Sequence, residues 1–127
     1  MAVAVSLGAL GAHFLKSKAA EGILTFENVA SFQTAVKYQV FHSLGILLLF
    51  GFAESLGLKK LKIVASCFVI GIILFSGSIY FLSTKTLLGV SSLKWLGPVT
   101  PLGGVSFIIG WLMLAIYFIK SKSREAV

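Results

Sequence analysis

The chain has 127 residues, 57% of them hydrophobic and 12% charged, with a mean hydropathy of +1.00. A soluble domain of this length carries about twice that charged fraction, and several apolar runs here are long enough to cross a bilayer, so the chain reads as one integral membrane domain. The net charge of +7 would suit nucleic acid, but the Lys and Arg residues stand almost entirely at the ends of apolar runs, where they anchor helices and set topology, so no nucleic-acid partner is expected.

The first run, Ala2 to Leu15, reaches only about 21 Å at helical rise. No basic segment precedes it, so it reads as a transmembrane helix over about 2–18, with Lys16 and Lys18 snorkelling, rather than as a signal peptide. Ala4, Gly8 and Ala12 form a small-residue stripe that Gly11 widens, which places this helix inside the bundle. A polar connection follows. Asn28 or Ser31 can cap a second helix over about 31–56. Along it Thr34, Tyr38 and His42 recur at every fourth residue with Gln39 beside them, a polar stripe that lipid cannot satisfy. Glu54 ends that helix near water, and Gly57 to Lys62 is a tight basic turn.

A third helix is expected over about 62–82. It is apolar until Ser76, Gly77 and Ser78, which are small enough for close helix contact and able to bond back to helix carbonyls. The lone Cys67 lies within its apolar part, so no intrachain disulfide can form. The loop from Thr84 to Gly97 should lie along the interface with Trp95 as a belt residue. Thr100 then caps a fourth helix over about 100–119 with Pro101 at its first position. Gly103, Gly104 and Gly110 give that helix a small-residue side. The predicted fold is all-α: four antiparallel transmembrane helices, up-down-up-down.

Such a topology fixes depth without coordinates. On the membrane side that holds the first and third loops, called side A, fall His13, Thr34, Tyr38, Gln39, His42, Ser76, Ser78, Tyr80 and Thr100. The side-B halves are nearly all aliphatic and aromatic. These polar groups either hydrogen-bond one another and hold the helices together or line a pocket with His42 as its deepest ionisable group. On depth, the partner of His42 is expected among Ser76, Ser78, Tyr80 and Thr100. His13 and His42 lie too far apart in depth to share a haem iron. Zinc would need further ligands, and no Cys or carboxylate stands at that depth. A serine relay lacks an orienting carboxylate. No catalytic residue, metal ligand or cofactor is therefore assigned.

The segments GALGAH (Gly8 to His13), FQTAVKYQVFHSLG (Phe32 to Gly45), FSGSIY (Phe75 to Tyr80) and TPLGG followed by GW (Thr100 to Gly104, Gly110-Trp111) resemble the transmembrane protein 256-like family. That group comprises small bacterial membrane proteins with mitochondrial relatives. The resemblance covers almost the whole chain and implies a four-helix membrane protein without an assigned activity or catalytic residue. Helix packing is expected at Gly8, Gly11, Gly77, Gly103, Gly104 and Gly110.

The expected role is a non-enzymatic accessory or interaction subunit in the bacterial inner membrane. The lipid bilayer, other membrane proteins or a second copy of the chain are its partners. The alternative is a small transporter or a binder of a lipophilic ligand around His42. Lys59, Lys60, Lys62, Lys120, Lys122 and Arg124 lie on side B, concentrated in a short turn and the tail. Lys16, Lys18, Lys37, Lys85 and Lys94 lie on side A. That bias predicts cytoplasmic termini.

Overall fold

A computed structural model of the protein describes residues 1–90 and 93–125. Ser91, Ser92, the last two residues and the side chains of Lys94 and of residues 123–125, Arg124 among them, lie outside the described residues. The described chain is helical, without strands. Helix α1 covers residues 2–20 and carries a π turn at Gly11–Leu15. Helix α2 is Phe26–Leu56, tightened to a 3-10 turn at Phe50–Phe52. Helix α3 is Leu58–Thr84, with a second π turn at Ile72–Gly77, and helix α4 is Val99–Glu125.

Local chemistry sets these ends. The Thr25 side chain accepts the Asn28 backbone N–H at 3.1 Å, and Glu27 lies in the first turn, where a carboxylate suits the helix dipole. The second helix thus begins at Phe26, ahead of the expected Ser31. Gly57 alone separates α2 from α3, with φ of 81°. This left-handed conformation favours glycine, and it lets α3 begin at Leu58 rather than 62. At the head of α4 the expected Thr100 cap gives way to a start at Val99. Thr100 Oγ1 faces the Leu96 carbonyl at 3.4 Å and Ser78 Oγ at 2.6 Å, so its hydroxyl is taken up by neighbours instead of by the helix's free N–H groups.

The core lies where α3 meets its two neighbours. Leu49 and Leu56 of α2, Leu61, Val64 and Phe68 of α3, and Phe107 of α4 form one buried cluster. Contacts run antiparallel on both sides of α3. Ser76 donates to the Ala35 carbonyl of α2 at 2.9 Å, and Ser106 of α4 donates to the Cys67 carbonyl at 2.8 Å. The α3–α4 seam is tightest at Gly103, where an added Cβ would stand 2.8 Å from the Leu74 carbonyl carbon and from Phe75 Cα. At Gly110 and Gly71 it would run into the rings of Phe68 and Phe107.

Helix α1 is not interior. It packs against α2 and the end of α3 through Leu15 and Ala19, which join Val29, Phe32 and Tyr80 in a second cluster. Val3, Val5, Leu10 and Phe14 remain exposed. Its seam is Ala4, Gly8, Gly11, Leu15 and Ala19, which follows the 3.6-residue helical repeat, and that repeat carries Ala12 off a strict four-residue stripe to an exposed position. Among the described residues three helices, Phe26–Leu56, Leu58–Thr84 and Val99–Lys122, are long and apolar enough to cross a membrane. α1 is a fourth helix, shorter and diluted by His13, Lys16 and Lys18, and is not among those three. Outward surfaces are apolar, as at Phe41, Leu44 and Leu48 on α2 and Leu102, Val105 and Leu112 on α4, as lipid contact requires.

Candidate functional site

The antiparallel register brings the midpoints of α2, α3 and α4 together, and His42 occupies that level. It is 5% exposed. Its ring stacks on Phe107 with 3.5 Å between centroids and meets Phe68 edge-on at 5.4 Å. Nδ1 lies 2.7 Å from the Tyr38 carbonyl one turn earlier, and Nε2 lies 3.2 Å from Trp111 Nε1 of α4. A carbonyl only accepts and an indole N–H only donates. Nδ1 therefore carries the proton, Nε2 keeps its lone pair, and the imidazole is neutral with both nitrogens engaged. To act as a base or a metal ligand it would have to give up Trp111 or the Tyr38 carbonyl.

The sequence-based partners of His42 are thereby corrected. Ser76, Ser78, Tyr80 and Thr100 share its half of the membrane but meet other groups, because the register sets Ser76 opposite Ala35 and leaves Phe68 and Trp111 opposite His42. Tyr80 donates to Gln39 Oε1 at 2.6 Å. Ser78 bonds its own helix at the Phe75 carbonyl and shares a bond with Thr100. The cluster thus divides into α2–α3 links (Ser76–Ala35, Tyr80–Gln39), one α3–α4 link (Ser78–Thr100) and one α2–α4 link (His42–Trp111). Among the described residues no buried side-chain nitrogen or oxygen lacks a partner.

Two of the expected members are not brought in. His13 is exposed on the π turn of α1. Thr34 is also exposed, and its hydroxyl returns to the Ala30 carbonyl at 3.0 Å, because the Thr34–Tyr38 side of α2 turns outward while Phe32, Ala35, His42 and Gly45 turn in. Among the packing glycines, Gly11 faces Phe32 at 3.0 Å and Gly8 faces Val36 at 3.4 Å, measured from an added Cβ. Gly104 stands in ordinary contact with Phe75, and Gly77 has only the Ile72 carbonyl oxygen at 4.0 Å. Gly77 is therefore not a point of helix contact: the widened π turn leaves space around it.

Sequence reasoning passed over Trp111, Phe107 and Phe68 as functional neighbours of His42. A signal existed for the first of these. An indole N–H inside hydrocarbon needs an acceptor, and Trp111 stands midway along an apolar helix that offers none of its own. Outside the His42 ring, a groove of about 480 Å³ opens between α2 and α4, lined by Tyr38, Phe41, Phe75, Gly104, Ile108 and Trp111. Among the described residues, no group of three or more His, Cys, Asp or Glu converges as a metal set would.

The chain matches, over residues 7–104, a family model described as protein of unknown function DUF423. It is 38% identical to the UPF0382 membrane protein YwdK of Bacillus subtilis over 119 residues, which covers 93% of this chain and 88% of the relative. It is 35% identical to a UPF0382 membrane protein of Haemophilus influenzae, covering 94% and 86%. To the UPF0382 inner membrane protein YgdD of Escherichia coli it is 37% identical, covering 94% and 83%. No solved structure matches.

Proposed function

The chain belongs to the DUF423 family of UPF0382 membrane proteins, and from that premise we propose that it is a non-enzymatic accessory subunit, joining larger membrane assemblies through its outward helix faces. The observation that carries this reading is the saturation of His42. Its two ring nitrogens are occupied by Tyr38 and Trp111, so the deepest ionisable group works as an interhelical tie rather than as a catalyst. The remaining polar groups link helix to helix in the same way, which leaves apolar surface as the means of recognition. Co-purification from native membranes in mild detergent, with mass spectrometry, tests it. A stable stoichiometric complex supports the proposal. A lone chain that catalyses turnover of a lipid or solute refutes it.

The groove between α2 and α4 favours a second reading, a binder or transporter of a lipophilic ligand. Its volume of about 480 Å³ falls in the range of small-molecule sites, roughly 300–1,000 Å³. Flux or ligand uptake in liposomes holding only this chain, lost in His42→Gln while the fold persists, would favour it over the first.

The membrane is read as the bacterial inner membrane, in keeping with the printed name of the Escherichia coli relative, and side B is read as cytoplasmic on the lysines at 59, 60, 62, 120 and 122. A cysteine introduced in the tail should resist impermeant thiol reagents in intact cells. We also read the transmembrane protein 256-like family as the same family. Three of the motifs that carry that resemblance, and the TPLGG of the fourth, fall inside the matched residues 7–104.

A further inference from the structure

At the side-B end a crevice of about 220 Å³ lies between α2 and α3, walled by Ile46, Leu49 and Ala53 on one side and Leu61 and Ala65 on the other. Lys62 is the single polar residue that lines it. Lys62 is exposed and stands in the first two turns of α3, whereas Ala65 lies about 5 Å deeper along the axis. Leu58 and Phe50 complete an otherwise apolar lining, so Lys62 is the one charge beside a hydrocarbon slot. Further lysines stand at the same end of the bundle. Lys59 and Lys60 lie in the first turn of α3, and Lys60 Nζ lies 5.5 Å from the Tyr117 ring centre of α4. The end of α4, with Lys120 and Lys122, is tied in by Ser121, which donates to the Ser55 carbonyl at 3.2 Å. Among the described side chains Glu54 is the single carboxylate at this end, and the one ion pair found among the described residues, Lys18 with Glu21, lies at the opposite end.

We propose that this crevice is a binding site for an anionic phospholipid, with the phosphate on Lys62 and an acyl chain lying down the wall between α2 and α3. The pairing of one cation with an apolar slot matches a phospholipid's pairing of headgroup and tail. Basic pockets between membrane helices recognise anionic headgroups in this way. The slot is smaller than the roughly 300 Å³ at which small-molecule sites begin, so it suits a segment of chain rather than a compact ligand. An acidic protein segment would answer the lysines but leave the slot empty, and a free phosphate would not use it.

The test uses the full chain in dodecyl maltoside, with native mass spectrometry of added dioleoyl phosphatidylglycerol against dioleoyl phosphatidylcholine, which has the same chains, and with glycerol phosphate as the bare headgroup. Phosphatidylglycerol should be retained over phosphatidylcholine and should not be displaced by an equal concentration of glycerol phosphate. Lys62→Gln should weaken it about fivefold, the effect of one cation near the surface. Ala65→Leu, which fills the slot and keeps every lysine, should weaken it by at least as much, and Lys85→Gln at the other end should not. Should Ala65→Leu not fold, Ala53→Leu fills the slot from the opposite wall and reads the same quantity. Equal retention of the two lipids, displacement by glycerol phosphate, or full binding after the slot is filled would each overturn the proposal. The last outcome would mark surface charge alone.

Discussion

Replacing Trp111 by Phe removes one N–H and keeps an aromatic ring against Phe68, whose centroid lies 4.9 Å away. His42 then holds an Nε2 lone pair with no donor, in a position 5% exposed. A buried acceptor left unmade costs about 1–3 kcal/mol. The N···N distance of 3.2 Å is at the long end for such bonds, so we expect the lower half of that range, about 1–2 kcal/mol. His42→Leu should cost about 2 kcal/mol, because it also forfeits the stacking on Phe107, a contact of roughly 0.5–1.5 kcal/mol. The double variant has neither the acceptor stranded by Trp111→Phe nor the donor stranded by His42→Leu. It should be more stable than the sum of the single losses by about 0.6 kcal/mol, the mean for interhelical bonds in membranes. Equilibrium unfolding in mixed dodecyl maltoside and dodecyl sulfate micelles measures this, followed by far-ultraviolet circular dichroism, since the chain has only two Trp and the variant loses one. Strict additivity would refute the assignment of His42 as an α2–α4 tie.

Gly103→Ala should lose about 2 kcal/mol in the same assay, because its Cβ meets the α3 backbone at 2.8 Å and overpacking of about 1–3 kcal/mol outweighs the helix propensity gained. Gly77→Ala, with nothing nearer than 4.0 Å, should be neutral or stabilising by up to about 1 kcal/mol; a larger loss than at Gly103 would contradict the seam. Gly11→Leu should detach α1, since Phe32 stands 3.0 Å from an added Cβ, whereas Ala12→Leu on the exposed side should leave the melting temperature unchanged. Glu21 is held below its ordinary value of 4.5 by hydrogen bonds from Lys18 and then Ser17. A lowered carboxylate contributes stability that is present above the unfolded value and lost as pH falls through the folded one, so wild type should lose slightly more than Glu21→Gln on acidification below about pH 4.5. Parallel pH curves for the two would count against that pair.

Helix number and class were legible because they rest on hydropathy and on the alternation of chain direction. What depth alone does not carry is azimuth. Ser76 and His42 fall in the same half, yet only the register between α2 and α3 decides that Ser76 reaches Ala35 while His42 meets Trp111. The π turns deepen this gap. Each rotates everything beyond it relative to an ideal helix, and Gly77, at the end of the second, stands clear of the seam it was expected to form. Gly103 and Gly110 were legible as packing residues, whereas Gly71 and Gly45 were not, since each lies singly in an apolar run and answers a bulky ring from another helix. Thr25 was overlooked as a cap because Ser31 lay nearer the first long apolar run.

The one-residue connection at Gly57 sets the order in which the helices can find each other. Closing a loop costs entropy that rises with its length, and α2 and α3 have almost none to close, so pairing can spread from the turn outward like a zipper. The farther bonds of that hairpin, Ser76 to Ala35 and Tyr80 to Gln39, each span 41 residues, but the rungs nearer Gly57 shorten the distance left to close. On the other side of α3, Thr100 and Ser78 are 22 residues apart. The His42–Trp111 bond spans 69 and joins helices that each pair first with α3. It belongs to the last stage of assembly, after the partners on either side of α3 are already in place, and so reports on completion of the fold rather than on its start.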